Sequence, residues 1–238
     1  MDVEEYLLVT TGTTLLDARH DKIKLPIYLN LSTNDMENIR RLLAHALPSH
    51  DVRPIRQWTP DCVTWVDNEA FYNGKIAMFS FVGTLVSSSV VSPKGRLHTI
   101  AYVRLEPLVR MDTVKARCAQ YSGSDRAKTL PPSRRRWIQF DHQQRDAATD
   151  KVILRLPIFD AAQDNGGPCS HPEDVTTRID PRVLNSNDIM FVCASLTRKH
   201  GQGRLASWQI RKITRLANAE QYSELEGSGS GACCFFPL

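Results

Sequence analysis

Several features are missing from this 238-residue sequence, and each absence excludes something. No uninterrupted apolar stretch reaches the roughly 18 residues that a spanning helix needs, so no transmembrane segment is expected. The start, Met1-Asp2-Val3-Glu4-Glu5, is acidic and leads into no apolar h-region, so no secretory signal is expected either. The six cysteines are Cys62, Cys118, Cys169, Cys193, Cys233 and Cys234, and none forms a CxxC metal half-site. Reduced thiols in a cytosolic or nuclear setting are the default. GxSxG, Walker and HExxH motifs are all missing. The segment Gly227-x-Gly229-x-x-Ala232 fits a dinucleotide fingerprint only superficially, because that motif must open a helix and six residues follow. No catalytic residue, metal or cofactor is therefore expected. At 42% hydrophobic and 24% charged, the composition also excludes wholesale disorder and a collagen-like repeat.

What is present is an uneven charge. The net charge of +4 looks unremarkable, but Lys94 to Arg155 holds 14 Lys/Arg against six Asp/Glu. Arg198 to Arg215 adds six basic residues and no acid. Such local excess attracts phosphate, whether on RNA or on an anionic lipid surface; the alternative is a solvated face.

The pattern of apolar residues predicts an α+β fold: a single domain with an antiparallel β-sheet or sandwich packed by one or two helices. Strands are expected at 6–10, 22–32, 61–67, 137–141, 151–160, 188–196 and 205–216. The apolar stretch 75–92 and the extended stretch 97–109 flank the turn signal Pro93-Lys94-Gly95, which predicts a hairpin. A helix for part of 75–87 is the alternative. Met36, Ile39, Leu42, Leu43 and Leu47 recur at helical spacing, after Ser32-Thr33-Asn34-Asp35 as caps and before Pro48. Residues 111–136 read as a polar loop, and 161–187 as a long turn-rich one. The domain is placed at 22–216, with a short lead at 1–21 and a flexible tail at 217–238.

Few residues suggest chemistry. Cys169 and His171 stand two apart, but in a Gly/Pro-rich loop with no helix start to activate the thiol. Asp141, Asp146 and Asp150 alternate with Gln and Arg, as on a solvated loop. Arg134-Arg135-Arg136-Trp137 joins guanidiniums that suit phosphate to a Trp expected to open a core strand. Tyr222-Ser223-Glu224-Leu225 matches a Tyr-x-x-Leu sorting pattern through Tyr222 and Leu225. Cys233, Cys234, Phe235 and Phe236 form an apolar plug on a Gly/Ser tether, suited to acylation or to burial in a bilayer. Packing of that tail on its own domain is the alternative.

The order of these pieces resembles the matrix protein of rhabdoviruses. The strand Leu25-Pro26-Ile27-Tyr28-Leu29-Asn30-Leu31, the helix Met36–Leu47, the apolar run Gly74–Ser89, the strand Lys151–Asp160 and the hairpin Ile189–Ile213 carry the likeness. It departs from the family at the acidic N-terminus, and Pro131-Pro132 is followed by Ser133-Arg134 rather than by a budding motif. The resemblance implies a non-enzymatic virion protein that self-associates, binds the inner membrane face and the viral nucleoprotein or ribonucleoprotein, and supports assembly and budding. Its location would be the virion, the host cytoplasm and the inner face of the membrane, with the nucleus also open to it.

On that reading, lipid or phosphate would be bound by Lys94 and Arg96, by Arg134, Arg135 and Arg136, by Arg198, Lys199 and Arg204, and by Arg211 and Lys212. RNA is a further partner. The alternative is a viral coat or movement protein that binds nucleic acid on a β-sandwich; an enzyme using Cys169 and His171 is a third.

Overall fold

The apolar run after Gly74 becomes one 14-residue strand, and the rest of the sheet is arranged around it. A computed structural model describes residues 33–44, 52–92, 94, 96–121, 136–145, 149, 151–152, 156, 158–161, 172, 174–198 and 206–218. In chain order the elements are α1 (Thr33–Ala44), β1 (Val52–Pro54), β2 (Thr64–Val66), β3 (Glu69–Tyr72), β4 (Lys75–Ile76), β5 (Met78–Val91), β6 (Leu97–Pro107), α2 (Arg110–Tyr121), β7 (Ile138–Gln143), β8 (Ile158–Asp160), β9 (Ile189–Arg198) and β10 (Ala206–Ala217). All ten strands belong to one sheet, so the described residues form a single α+β unit with two helices. The expected lead, the strand at 22–32 and the tail lie outside the described residues, apart from Ala217 and Asn218 at the start of that tail.

The expected antiparallel sheet or sandwich is a largely antiparallel sheet, with some parallel pairs, that closes into a barrel. The first half of β5 pairs antiparallel with β9, from Met78↔Ser195 to Thr84↔Ile189. Its second half pairs antiparallel with β6, from Gly83↔Pro107 to Val91↔Leu97. From β6 the sheet continues antiparallel to β7, parallel to β10 and antiparallel back to β9. The circuit β5-β6-β7-β10-β9-β5 is therefore complete, and it has the connectivity of the five-stranded OB-fold barrel. A strand with two successive partners looks, in sequence, like one uniform apolar run, which is why closure was not visible there.

Closure needs a residue without a side chain where β5 changes partner. At Gly83 a Cβ would collide with the Glu106 carbonyl oxygen and stand 2.8 Å from Leu105 Cγ. Inside the barrel, Phe79 and Phe81 of β5 meet Trp208 of β10 edge-on at 5.8 and 5.0 Å, and Phe81 meets Phe140 of β7 at 4.8 Å. Edge-to-face pairs of this kind each add about 0.5–1.5 kcal/mol beyond the area they bury.

A second apolar layer lies outside the barrel. Ile39, Leu42 and Leu43 of α1 pack with Val82, Phe191, Cys193 and Leu216. Strand β9 is thus buried on both faces from Ile189 to Leu196, which explains its solid apolar sequence without alternation. Residues 111–121, read from sequence as the start of a loop, fall in α2. Its buried face is Asp112, Thr113, Ala116 and Ala119, too small and too polar to give a hydrophobic period. Asp112 instead pairs with Arg56 at 3.2 Å, and Lys115 Nζ donates to the Trp58 carbonyl at 3.0 Å, so α2 holds the short 3-10 turn Ile55–Gln57.

A buried ion cluster fixes the end of β10. Arg215 Nε donates to Asp160 Oδ1 at 3.2 Å, Nη2 donates to Asp160 Oδ2, and Nη1 donates to the Val183 carbonyl at 3.2 Å while lying 3.7 Å from Asp188 Oδ2. All three charged side chains are almost fully buried. Burial pulls the Arg215 pKa down, but hydrogen bonds and charge from Asp160 and Asp188 outweigh it and raise it above the ordinary value. The guanidinium therefore stays charged inside the protein.

Two substitutions test this frame by urea denaturation. Gly83→Ala is expected to lower stability by about 1–3 kcal/mol, through overpacking against backbone that has no room to give. Arg215→Ala is expected to cost about 3–5 kcal/mol, because it leaves two carboxylates buried without their cation.

Candidate nucleic-acid interface

Strand alternation decides what the barrel shows to solvent. On β6, Ala101, Val103 and Leu105 are buried in the core, so Ile100, Tyr102, Arg104 and Glu106 face out. On β7, Ile138 and Phe140 face in, and Gln139 and Asp141 face out. On β10, Trp208 and Ile210 face in, and Ser207, Gln209 and Arg211 face out. Register sets these residues side by side: Tyr102 beside Asp141, Arg104 beside Gln139, and Asp141 beside Gln209. Among the described residues no apolar layer packs on this side of the barrel: Ile100 and Arg211 are exposed, and the other outward residues are half-buried.

The centre of the face is a stacked group. The Arg104 guanidinium carbon lies 4.6 Å from the ring centre of Trp137 and 4.8 Å from that of Tyr102. Arg104 Nε donates to Gln139 Oε1 at 3.2 Å, and Gln139 Nε2 donates to Asp141 Oδ1 at 2.9 Å. Each member of this chain thereby orients the next. Trp137, expected in the core, instead precedes β7 and is half-buried against Arg104. Nearby Ile100 is half exposed. Two aromatic surfaces with a planar cation between them can stack bases and bind phosphate.

A basic turn stands at one end of the face. The β5–β6 turn, where β6 begins, carries Lys94 and Arg96, both exposed. Strand β10 runs parallel to β7 from the Trp137 end, and the residues that join it to β9, 199–205, lie outside the described residues. The β5–β6 turn is pinned from below by fully buried Gln144, whose Nε2 donates to the carbonyls of His98 at 2.8 Å and Val90 at 3.2 Å. Arg96 also donates its backbone N–H to Ser92 Oγ at 3.0 Å.

The structure sorts the residues expected to bind phosphate. Lys94, Arg96 and Arg136 are exposed, and Arg136 adjoins Trp137. Arg211 lies on the face, donating to Ser195 Oγ and to Glu69 Oε1, each at 2.9 Å. Arg198 shares the inward parity of Leu196, and its guanidinium carbon stacks 3.7 Å from the Trp65 ring centre. Lys212 departs from expectation. A register shift after Ile210 turns it toward the covered side, where Nζ donates to the Val175 carbonyl at 3.0 Å and lies 4.3 Å from the Phe159 ring centre.

Asp141, the last residue of the strand expected at 137–141, is a strand residue in the middle of the face. Arg134, Arg135, Lys199, Arg204, Tyr222, Leu225, Cys233, Cys234, Phe235 and Phe236 lie outside the described residues, as do Cys169 and His171. Sequence reasoning missed Tyr102, Arg104, Gln139 and Gln209. The available signal was the period-2 alternation in Ile100–Glu106 and Trp137–Asp141, whose polar positions include aromatics.

No protein-family model and no curated protein matches the chain. Among solved structures it is similar to gp2.5, a single-stranded DNA binding protein encoded by bacteriophage T7, at 13% identity and a TM-score of 0.36, covering 66% of this chain and 98% of that one. It is also similar to a replication protein A heterotrimer bound to ssDNA, at 13% identity and a TM-score of 0.29, covering 74% of this chain and 88% of that one. At such scores the functional reading rests on the face itself.

The role of Gln144 can be checked separately from any ligand. Gln144→Ala removes both side-chain bonds to the β5–β6 hairpin. Amide hydrogen exchange is expected to rise at Val91 and Arg96 while remaining slow at Phe81 and Phe140.

Proposed function

We propose that this protein binds single-stranded nucleic acid across the outer face of β6, β7 and β10. The observation that carries the reading is the Trp137–Arg104–Tyr102 stack on a side of the barrel that, among the described residues, has no apolar layer over it. Its position supports the reading, since OB-fold barrels bind oligonucleotides on the face of their second and third strands and with two flanking loops. In this chain the equivalent strands are β6 and β7, and the β5–β6 turn is one of the flanking loops. Bases must be unpaired to stack on Tyr102 and Trp137, so single strands suit the face better than a duplex. Lys94, Arg96 and Arg136 then serve the phosphates at its rim.

Of the roles raised by the sequence, this keeps nucleic-acid binding on a β fold. A matrix role at an anionic membrane, with self-association and ribonucleoprotein contact, uses the same basic residues but gives the stacked aromatics no task. Fluorescence anisotropy with a labelled single-stranded oligonucleotide tests the proposal. Tyr102→Ala and Trp137→Ala are each expected to weaken binding by about 1–3 kcal/mol. Replacing Lys94 and Arg96 by Ala is expected to flatten the salt dependence by about 0.7 log unit for each phosphate left unneutralised. Undiminished binding by both aromatic variants would overturn the proposal. So would an absence of oligonucleotide binding combined with salt-sensitive flotation on phosphatidylserine vesicles, the result a matrix role requires.

A further inference from the structure

We infer that the face reads bases as well as stacking them, and that Asp141 selects guanine over thymine or uracil. The inference rests on the single-strand reading above and deepens it. Its starting point is a charge of the wrong sign. Asp141 is half-buried in the middle of a face proposed to bind a polyanion, in register with Tyr102 on one side and Gln209 on the other. A carboxylate repels phosphate, so the phosphates of a bound strand must run along the basic rim and beside Arg104. The edges of the bases are then what meets Asp141.

The carboxylate is held for that purpose. Gln139 Nε2 donates to Asp141 Oδ1 at 2.9 Å, and Arg104 Nε in turn donates to Gln139 Oε1 at 3.2 Å. The same arginine lies between the two aromatic surfaces, so the orientation of Asp141 is coupled to the stacking surface. An ionised carboxylate only accepts hydrogen bonds. On its pairing edge guanine presents two adjacent donors, N1–H and N2–H, which match two carboxylate oxygens. Cytosine and adenine present one donor group beside a ring acceptor. Thymine and uracil present one donor between two carbonyls, which the carboxylate repels. Gln209 adds a complementary donor: its Nε2 donates to Ser207 Oγ at 3.0 Å and carries a second N–H suited to guanine O6.

The test compares two labelled DNA dodecamers at low salt, one alternating guanine and thymine and one all thymine. The alternating strand is expected to bind about tenfold more tightly, the discrimination typical of one well-placed bidentate base contact. Asp141→Asn keeps the shape of the side chain but supplies a donor beside an acceptor, which suits thymine. It is expected to close the gap to within about twofold, chiefly by tightening the thymine strand, with an unchanged circular dichroism spectrum. Equal or tighter binding of the thymine strand by the unaltered protein overturns the inference. An unchanged gap in Asp141→Asn overturns it as well. If both strands bind equally, only the base preference falls. If neither binds, the single-strand reading falls with it.

Discussion

The barrel depends on one strand passing between two barrel neighbours, while its start also pairs with β1. Strand β5 leaves β9 and joins β6 across Gly83 and Thr84, the two residues that pair with both. The backbone of Glu106 comes so close to Gly83 that a methyl group has no place there. Because the handover happens at that point, Phe79 and Phe81 turn inward with Trp208 and Phe140, and β6 and β7 are carried round to the side away from α1. The exposed face is therefore a consequence of closure, and its residues need no local sequence peculiarity to be brought together.

The outside of the barrel is divided in two by what covers it. Over β9 and the first half of β5, α1 and Val175 make a second apolar layer. Over β6, β7 and the start of β10 the described residues make no such layer, and the outward positions hold an aromatic, a guanidinium, amides and two carboxylates. Hydrogen bonds and ring contacts fix these groups in place before any ligand arrives, which lowers the ordering cost of binding. The charged groups at the barrel's other end do different work. Arg215 with Asp160 and Asp188 is sealed from water and ties β10 to β8 and to the turn at Val183.

Much of the fold was legible in the residues, for specific reasons. The helix at Ile39–Leu43 and the hairpins at Pro93–Gly95 and Lys199–Gly203 have strong local signals, and the strands beside them follow. The helix α2 was not legible, because Ala116 and Ala119 bury little and Asp112 is held by an ion pair. Lys212, expected at phosphate, is instead turned by a one-residue irregularity after Ile210 onto the Val175 carbonyl, which no local pattern signals. The basic turns could be read as charge, whereas the stack of Trp137, Arg104 and Tyr102 joins residues brought together only by strand pairing. Charge density is a local property of sequence, and a stacking surface is not.

The pairing of Met78 with Ser195 has a consequence in time as well as in space. The two hairpins, β5–β6 and β9–β10, are local and can form early. Bringing them together requires the long connection through α2, β7 and β8 to be in place, and contacts so distant in sequence slow folding. Until they meet, the edge of β5 that pairs with β9 and the edge of β9 away from β10 stay open, on strongly apolar strands. Such edges are ready to pair with another chain, so the interval before closure is when the protein is most exposed to aggregation.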